Sequence, residues 1–192
     1  MILDLTAYVI IPIYTLVFVN GTNWLTSNLS VIGSFPTRQS AFFVLGIIIG
    51  FYYHTVLRRL LAPLPNRRLE YRLLHIALVL IILAVSIPYL PDSVPLQSFL
   101  HLVFAFVASL MLLLCLYLTI WKLSRLSDQL QLILRPYRIL LIFITLFSVL
   151  LLCIAGIIST ALEVFFVITT TVMVQRLYRQ FTCNFPDSIY NK

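Results

Sequence analysis

Apolar residues fill six long stretches of this chain, and short polar segments separate them. A helix that crosses the roughly 30 Å hydrocarbon layer of a bilayer needs about 20 mostly apolar residues, which each stretch approaches. Transmembrane strands would alternate polar with apolar positions, whereas residues 76–83 form one unbroken apolar run. The pattern predicts an all-α, polytopic integral membrane protein in which residues 1–181 form one six-helix domain and residues 182–192 a short cytoplasmic tail. The transmembrane helices are expected at about 5–19, 40–57, 73–90, 96–121, 137–156 and 159–177.

The segments between the apolar stretches contain residues that end or start helices. Residues 63–68 and 88–92 are rich in proline and turn-forming residues, so each is expected to separate two helices. Arg135-Pro136 predicts the start of the fifth helix, because proline is tolerated in a first turn. No proline separates the fifth stretch from the sixth, yet a single helix over 139–174 would be ~54 Å long at ~1.5 Å per residue, which is too long for one span. A reversal near Gly156–Ser159, or at Glu163, is therefore required.

The composition supports a membrane location. Hydrophobic residues make up 61% of the chain and charged residues only 10%, against about half and a quarter in soluble domains. Soluble enzymes, nucleic-acid-binding proteins and disordered chains are thereby excluded. The first apolar stretch lacks the basic start and the cleavage site of a signal peptide, so we expect it to be a retained helix.

The basic residues predict the orientation. Of the 13 lysines and arginines, all but Arg38 lie in or next to three segments: the loop between helices two and three, the loop between helices four and five, and the segment after helix six. Cytoplasmic loops of membrane proteins carry an excess of positive charge, so these loops and both termini are predicted to be cytoplasmic, and the membrane is expected to be the plasma membrane. Five arginines would lie directly at the inner leaflet and contact lipid headgroups: Arg58, Arg59, Arg67, Arg68 and Arg72.

The second helix contains a Gly-x-x-x-Gly motif at Gly46 and Gly50. Such a motif lets two helix backbones approach closely in lipid. The interpretation that we favour is packing within the chain, and a homodimer or a contact with another membrane subunit is the alternative.

Ionisable side chains inside the predicted helices are costly and need an explanation. His54 and His75 lie near the cytoplasmic ends of helices two and three, whereas His101 and Glu163 lie near the outer ends of helices four and six. The three histidines are too far apart in depth for one zinc ion, whose bonds to nitrogen are only ~2.0–2.1 Å long. No metal or cofactor is therefore predicted.

The longest outer segment, residues 20–40, is rich in hydroxyl and amide groups. These groups suit hydrogen bonding to uncharged or zwitterionic molecules. Either these polar side chains hydrogen-bond to the backbone of the loop itself, or the loop forms an outward-facing polar cavity together with side chains from the helices. The candidate cavity residues are Asn23, Asn28, Ser30, Arg38, Asp92, His101 and Glu163.

The start of the chain resembles a known superfamily. Ser30-x-x-Gly33 after the first helix, followed by Phe43 and Gly46 in the second, is similar to the DRAM-like superfamily of six-helix membrane proteins. That group includes factors that remodel lipids of GPI anchors and bacterial families of unknown function. The resemblance covers roughly residues 1–50 and the helix count, and implies a lipid-associated role with Ser30 in an external polar site.

Three functions remain open. The chain could handle a lipid headgroup or small amphipathic molecule, and as a hydrolase or transferase it would use Ser30 or water as nucleophile, His101 as base, and Glu163 or Asp92 to orient the base. It could also be a substrate-binding or transport subunit. Its size resembles the binding subunits of energy-coupling-factor transporters, but its bulky first helix lacks their small-residue docking face. The third possibility is a non-catalytic assembly subunit.

Overall fold

The computed structural model describes residues 1–184, and every regular element within this range is helical. The first helix, α1 (Ile2–Phe18), contains a π-helical segment at Thr6–Ile10. The others are α2 (Leu29–Ser34), α3 (Gln39–Leu61), α4 (Arg68–Ser86), α5 (Pro95–Ser124), α6 (Asp128–Ala155) and α7 (Thr160–Asn184). Helices α3 to α7 are each long and apolar enough to cross a membrane, whereas α1 is shorter. The predicted tail lies mostly outside the described residues.

Successive long helices run in opposite directions. At one end of the bundle, the backbone N–H groups of Thr160 and Ala161 donate to the carbonyls of Ser27 and Trp24, so the segment after α1 is attached to the start of α7. We call this the loop end. At the other end, Lys122 at the end of α5 contacts Glu70 at the start of α4. We call this the basic end.

The start of α6 is explained by a side-chain cap. The Ser127 hydroxyl accepts a hydrogen bond from the N–H of Leu130 (3.2 Å), and α6 begins at Asp128. The prediction that this helix begins at Arg135-Pro136 is therefore wrong, because Pro136 lies inside α6. The early start buries Leu130 and Leu134, which compensates for the single backbone hydrogen bond that a proline removes.

The ends of α4 and α6 bear on the predicted boundaries. The end of α4 differs from its prediction, and the end of α6 decides between two alternatives. Helix α4 ends at Ser86, four residues before the expected boundary, because Ile87 precedes a proline and is extended (φ −98°, ψ 123°). Helix α6 ends at Ala155 and is capped by Gly156, whose φ of +68° is accessible to glycine at little cost. The reversal thus lies between Gly156 and Ser159 rather than at Glu163.

The glycine motif faces α4 of the same chain. A Cβ atom on Gly46 would lie 2.8 Å from Val85 Cγ1, and one on Gly50 would lie 3.8 Å from Leu78 Cδ2. Close approach of α3 to α4 therefore uses Gly46 in particular, whereas Gly50 leaves ordinary contact space. A homodimer through these glycines stays a prediction.

Packing differs between the two ends of the bundle. The largest cluster of buried side chains lies towards the basic end and includes Leu57, Leu60, Leu116 and Leu123. A smaller cluster joins α1, α2 and α3 at the loop end. Residues of both clusters line one cavity: Leu45 from the smaller cluster, and Tyr53 and Leu112 from the larger.

Candidate functional site

Two of the predicted site residues are in direct contact. The Ser30 hydroxyl, in the first turn of α2, lies 2.6 Å from Nε2 of His101 in α5. Both side chains are buried, with 8% of Ser30 and 1% of His101 exposed. The structure thus brings together groups that are 71 residues apart in the chain.

The second ring nitrogen of His101 determines the direction of this hydrogen bond. His101 Nδ1 lies 2.7 Å from the carbonyl oxygen of Ile87. A carbonyl can only accept, so Nδ1 carries the proton and, in a neutral ring, Nε2 is the acceptor. The Ser30 O–H therefore donates to His101, which is the arrangement of a nucleophile with its general base. The orienting partner of His101 is a backbone carbonyl, in place of the carboxylate of Glu163 or Asp92 that we expected.

Aromatic side chains hold the His101 ring in place. Phe42 stacks against it at a centroid distance of 6.4 Å, and Tyr89 contacts it at 5.7 Å. Phe42 also packs against Gly33 of α2, where a Cβ atom would lie 2.5 Å from the Phe42 ring. Gly33 therefore allows α2 to approach closely enough for Ser30 to reach His101.

Glu163 is attached to the same short helix. Its Oε2 atom accepts a hydrogen bond from the backbone N–H of Leu29 at 2.6 Å. No other described residue donates to this carboxylate, so Oε1 remains available to a ligand. The start of α2 is therefore attached to α7 through the backbone N–H of Leu29 and to α5 through the hydroxyl of Ser30.

Two adjoining cavities meet at Glu163. The smaller cavity, of about 140 Å³, has a mostly apolar wall that also includes Ser30, His101 and Glu163 together with Tyr53 and Thr170. We call it the polar cavity because of these five side chains. The apolar cavity, of about 280 Å³, lies between α5, α6 and α7. The walls of both share six residues: Leu29, Ala105, Ser109, Glu163, Phe166 and Val167.

The apolar cavity reaches the outer surface of the bundle. Phe106, Leu110 and Val149 line it and are each more than two-fifths exposed. Ser148 also lines it, and its buried hydroxyl has no hydrogen-bond partner among the described residues. The cavity therefore offers an apolar space in which the Ser148 hydroxyl is free to bind a ligand.

The remaining predicted binding residues lie around the site without lining the polar cavity. Asn28 caps α2 through Val31 N–H (2.7 Å), and Asn23 accepts from the N–H of Leu25 (3.0 Å). Arg38 donates to the carbonyl of Phe18 (2.8 Å) and holds the end of α1, while Asp92 lies on an exposed turn. Their predicted contacts with a ligand stay predictions.

The five arginines assigned to lipid headgroups all occupy exposed positions at the basic end. Arg59 donates to the Tyr178 hydroxyl at 2.8 Å, and Arg67 donates to the carbonyl of Ala62. The guanidinium groups of Arg58, Arg68 and Arg72 have no partner within residues 1–184. These three are the arginines most available to a lipid phosphate.

The other two histidines form a separate pair near the basic end. The rings of His54 and His75 are 5.8 Å apart, and His75 Nδ1 donates to the Tyr71 carbonyl at 2.6 Å. In the described part of the chain, no three His, Cys, Asp or Glu side chains are grouped so that they could hold a metal ion.

Sequence reasoning missed one buried ion pair. Glu70 is fully buried, and its Oε1 atom lies 2.6 Å from Lys122 Nζ, which also donates to the Asn66 carbonyl at 3.1 Å. The prediction started the third transmembrane helix at residue 73 and so counted Glu70 as part of a loop. The available signal was a single carboxylate among the arginines of residues 67–72.

It also missed a buried polar network in the half of the bundle towards the basic end. Tyr52 and Tyr53 of α3 hydrogen-bond to Thr170, Thr171 and Gln175 of α7. The tyrosines resembled interfacial or lipid-facing aromatic residues in the sequence. The run of threonines followed by glutamine in the last helix was the signal that could have indicated a buried polar face.

No family model matches this chain, and neither does any curated protein or solved structure.

Proposed function

We propose that this chain is a six-span membrane protein that binds the headgroup of a lipid, or a small amphipathic molecule, at the polar cavity. Its basic end faces the cytoplasm and its loop end the exterior of the plasma membrane. The distribution of positive charge supports this orientation, since Arg38 is the one basic residue near the loop end among 13. The α1 helix is the sixth span, short but without a charged side chain between Leu5 and Phe18.

The observation that carries the proposal is the shared wall of the two cavities. Glu163 borders both the small cavity that holds the polar groups of Ser30 and His101 and the larger cavity, whose wall is almost entirely apolar. A ligand that fills both needs a polar part next to an apolar part, which is the property of a lipid. The exposed Phe106 and Val149 at the edge of the apolar cavity would let an acyl chain enter directly from the bilayer.

The polar groups favour an uncharged or zwitterionic headgroup. Glu163 Oε1 can accept from a hydroxyl or ammonium group, and Ser30 and His101 add neutral hydrogen-bonding atoms. The unpartnered Ser148 hydroxyl can donate to an ester carbonyl, which removes the cost of leaving it unpaired. A bare anionic group would meet no lysine or arginine among the described residues that line the cavity.

Native mass spectrometry of the purified protein tests this proposal. We expect the wild type to retain lipid, and Glu163→Gln and Ala105→Phe to reduce the retained fraction several-fold. The first replaces one carboxyl oxygen with an amide nitrogen that cannot accept a hydrogen bond, and the second places a large side chain in the wall common to both cavities. Asp92→Asn is the matched control, because it removes an exposed carboxylate near the loop end. Equal lipid retention by all four proteins would contradict the proposal and favour a non-catalytic assembly subunit.

A second candidate function is the cleavage or transfer of an acyl group, and the Ser30–His101 contact favours it. Ser30 Oγ would attack an ester carbonyl while its proton passes to His101 Nε2. His101 would then protonate the leaving alcohol, and the acyl-serine would be released by water or by a second alcohol. The Ile87 carbonyl keeps the proton of His101 on Nδ1 throughout.

Labelling with a fluorophosphonate, a reagent for activated serines, tests this second candidate. We expect modification of Ser30 in the folded protein, abolished by Ser30→Ala and strongly reduced by His101→Asn. Ser34→Ala is the control, since Ser34 lies in the same helix and donates only to the Val31 carbonyl (2.7 Å). Absence of label on Ser30 while lipid is still retained would exclude catalysis and leave the binding function intact.

The basic-end arginines have a supporting role in this proposal. Arg58, Arg68 and Arg72 would bind phosphates of inner-leaflet lipids and hold the bundle at a fixed depth. Replacing all three with glutamine should reduce retention of phosphatidylglycerol in nanodiscs without changing lipid bound at the Glu163 site.

A further inference from the structure

The polar cavity is continued towards the basic end by hydrogen-bonded side chains. Tyr53 and Thr170 line the cavity, and their hydroxyl oxygens are 2.6 Å apart. The Tyr53 hydroxyl also lies 3.2 Å from Thr171 Oγ1, one residue further along α7. The floor of the cavity is thus formed by hydroxyl groups from two different helices.

The same series of contacts extends to the surface of the protein. The Tyr52 hydroxyl donates to the Thr171 carbonyl (3.1 Å) and to Gln175 Oε1 (3.2 Å). Gln175 Nε2 donates to Asp4 Oδ1 in α1 at 3.0 Å. We call Tyr52, Tyr53, Thr170, Thr171 and Gln175 the polar seam, and Asp4 is its end.

The five side chains of the polar seam are at most 2% exposed. Polar groups inside a membrane helix bundle are expensive, and they commonly mark substrate pathways or hold helices together. A purely structural contact needs no connection to a cavity. The polar seam, however, begins at the cavity that binds the proposed headgroup and ends at the partly exposed pair of Asp4 and Arg179, 3.5 Å apart.

The element that closes the surface end of the polar seam is α1. It is the shortest of the candidate spans, and its π-helical segment, Thr6–Ile10, begins two residues after Asp4. Segments of π-helix often occur at functional sites and interrupt the regular hydrogen bonding of a helix. Asp4 connects this end of α1 to α7 through Gln175 and Arg179.

We infer that the polar seam is the closed inner half of a headgroup pathway, and that movement of the start of α1 away from α7 opens it. This inference rests on the proposed lipid binding. The headgroup would pass from the polar cavity along the hydroxyl and amide groups of the polar seam, while the acyl chains remain in the bilayer. The chain would thereby move uncharged or zwitterionic lipids between the two leaflets.

Transbilayer exchange in proteoliposomes tests this inference. Vesicles of phosphatidylcholine containing NBD-phosphatidylcholine are treated with dithionite, which reduces only the probe in the outer leaflet. We expect reduction to continue to the inner-leaflet probe in vesicles that contain the wild type. Thr171→Val should slow this second phase several-fold, and Asp4→Asn should accelerate it by loosening the contact of α1 with α7.

A neighbouring threonine provides the matched control. Thr169 lies on the same helix, and within residues 1–184 its hydroxyl donates only to the Phe165 carbonyl, at 2.6 Å. Thr169→Val should therefore leave exchange unchanged. Exchange by the wild type no faster than in empty vesicles, or equal slowing by both valine variants, would overturn the inference.

Accessibility of a single cysteine gives a second measurement that does not depend on lipid movement. In a background without Cys115, Cys153 and Cys183, Thr171→Cys should be protected from a membrane-impermeant thiosulfonate. Adding Asp4→Asn should expose it to reagent applied at the basic end. Continued protection of the cysteine in that double variant would overturn the inference that movement of α1 opens the polar seam. Native mass spectrometry separates the two proposals, because Thr171→Val should retain lipid and Glu163→Gln should not.

Discussion

Gly33 shows how one residue without a side chain can position a functional group. Its Cα faces the ring of Phe42 so closely that an added Cβ would lie 2.5 Å from Cγ. Phe42 in turn stacks on His101, the hydrogen-bond partner of Ser30. The Ser30-x-x-Gly33 spacing therefore has a physical reason: the serine makes the contact and the glycine permits the approach.

We expect Gly33→Ala to lower the stability of the protein by about 1–3 kcal/mol, the usual cost of overpacking. It should also displace Ser30 from His101, because α2 must move away from Phe42. Thermal unfolding in detergent measures the first effect, and fluorophosphonate labelling measures the second. Unchanged stability together with unchanged labelling would show that Phe42 can move aside.

Gly46 and Gly50 provide an internally controlled comparison. Gly46→Ala would place a Cβ atom 2.8 Å from Val85 and should destabilise the contact between α3 and α4. Gly50→Ala meets only Leu78 at 3.8 Å and should be neutral or stabilising, because alanine favours a helix by about 0.8–1 kcal/mol over glycine. The order of unfolding temperatures checks this prediction, and equal effects would argue that α4 does not pack on Gly46.

Asp4 predicts a pH effect at low pH. The hydrogen bond from Gln175 and the nearby N-terminus and Arg179 lower the pKa of Asp4 below its ordinary value of 3.8. The stabilisation by its carboxylate is therefore complete well above pH 3.8 and is lost as the pH falls through the lower, folded-state pKa. Unfolding measured between pH 6 and about pH 2.5 should show a loss of stability that Asp4→Asn diminishes. An identical pH dependence in the variant would contradict this role.

At the scale of the helices, the sequence predicted which segments are helical better than it predicted where each helix begins and ends. Helix α6 begins at Asp128, because the Ser127 cap and the burial of Leu130 and Leu134 outweigh the effect of an internal proline. Hydropathy alone could not reveal this, since residues 128–135 mix polar with apolar side chains. The chain reversal after α6, at Gly156–Ser159, is one of the two positions that the sequence allowed, and the other was Glu163.

The contact between α4 and α5 depends on a buried ion pair. Lys122→Met should leave the Glu70 carboxylate buried without a counter-charge and lower stability by about 3–5 kcal/mol. The double variant with Glu70→Gln should recover much of this loss. Arg125→Met is the control, because Arg125 lies over the Trp121 ring at the exposed end of the same helix. A negligible effect of Lys122→Met on the unfolding temperature would contradict this account.

For the site, sequence reasoning paired Ser30 with His101 but did not predict the backbone partners of His101 and Glu163. Depth in the membrane placed His101 and Glu163 together, yet His101 is oriented by the Ile87 carbonyl and Glu163 contacts Leu29 N–H. Asn23 and Asn28 proved to form local turns and caps, which are short-range roles that amide side chains commonly take in loops. Backbone partners of this kind depend on how each helix is rotated about its axis, and the hydropathy of the sequence carries no information about that rotation.

At the scale of the whole molecule, the orientation is open to direct measurement. In a background with Cys115 and Cys153 replaced, an impermeant maleimide should label Asp92→Cys in intact cells. The native Cys183 near the basic end should react only after the membrane is permeabilised. Labelling of Cys183 without permeabilisation would place the basic end outside and reverse the proposed topology.

The sequence by itself determined that the chain is helical, that its apolar segments have the length of membrane spans, and which ends carry the positive charge. These are one-dimensional properties, because hydrocarbon thickness and charge asymmetry act on each segment separately. Only the tertiary structure decided that Ser30 contacts His101 across 71 residues, Glu163 contacts Leu29 across 134, and Tyr53 contacts Thr170 across 117. The reason is that lipid is as apolar as the bundle interior, so close packing at positions such as Gly33 and Gly46 sets which faces meet.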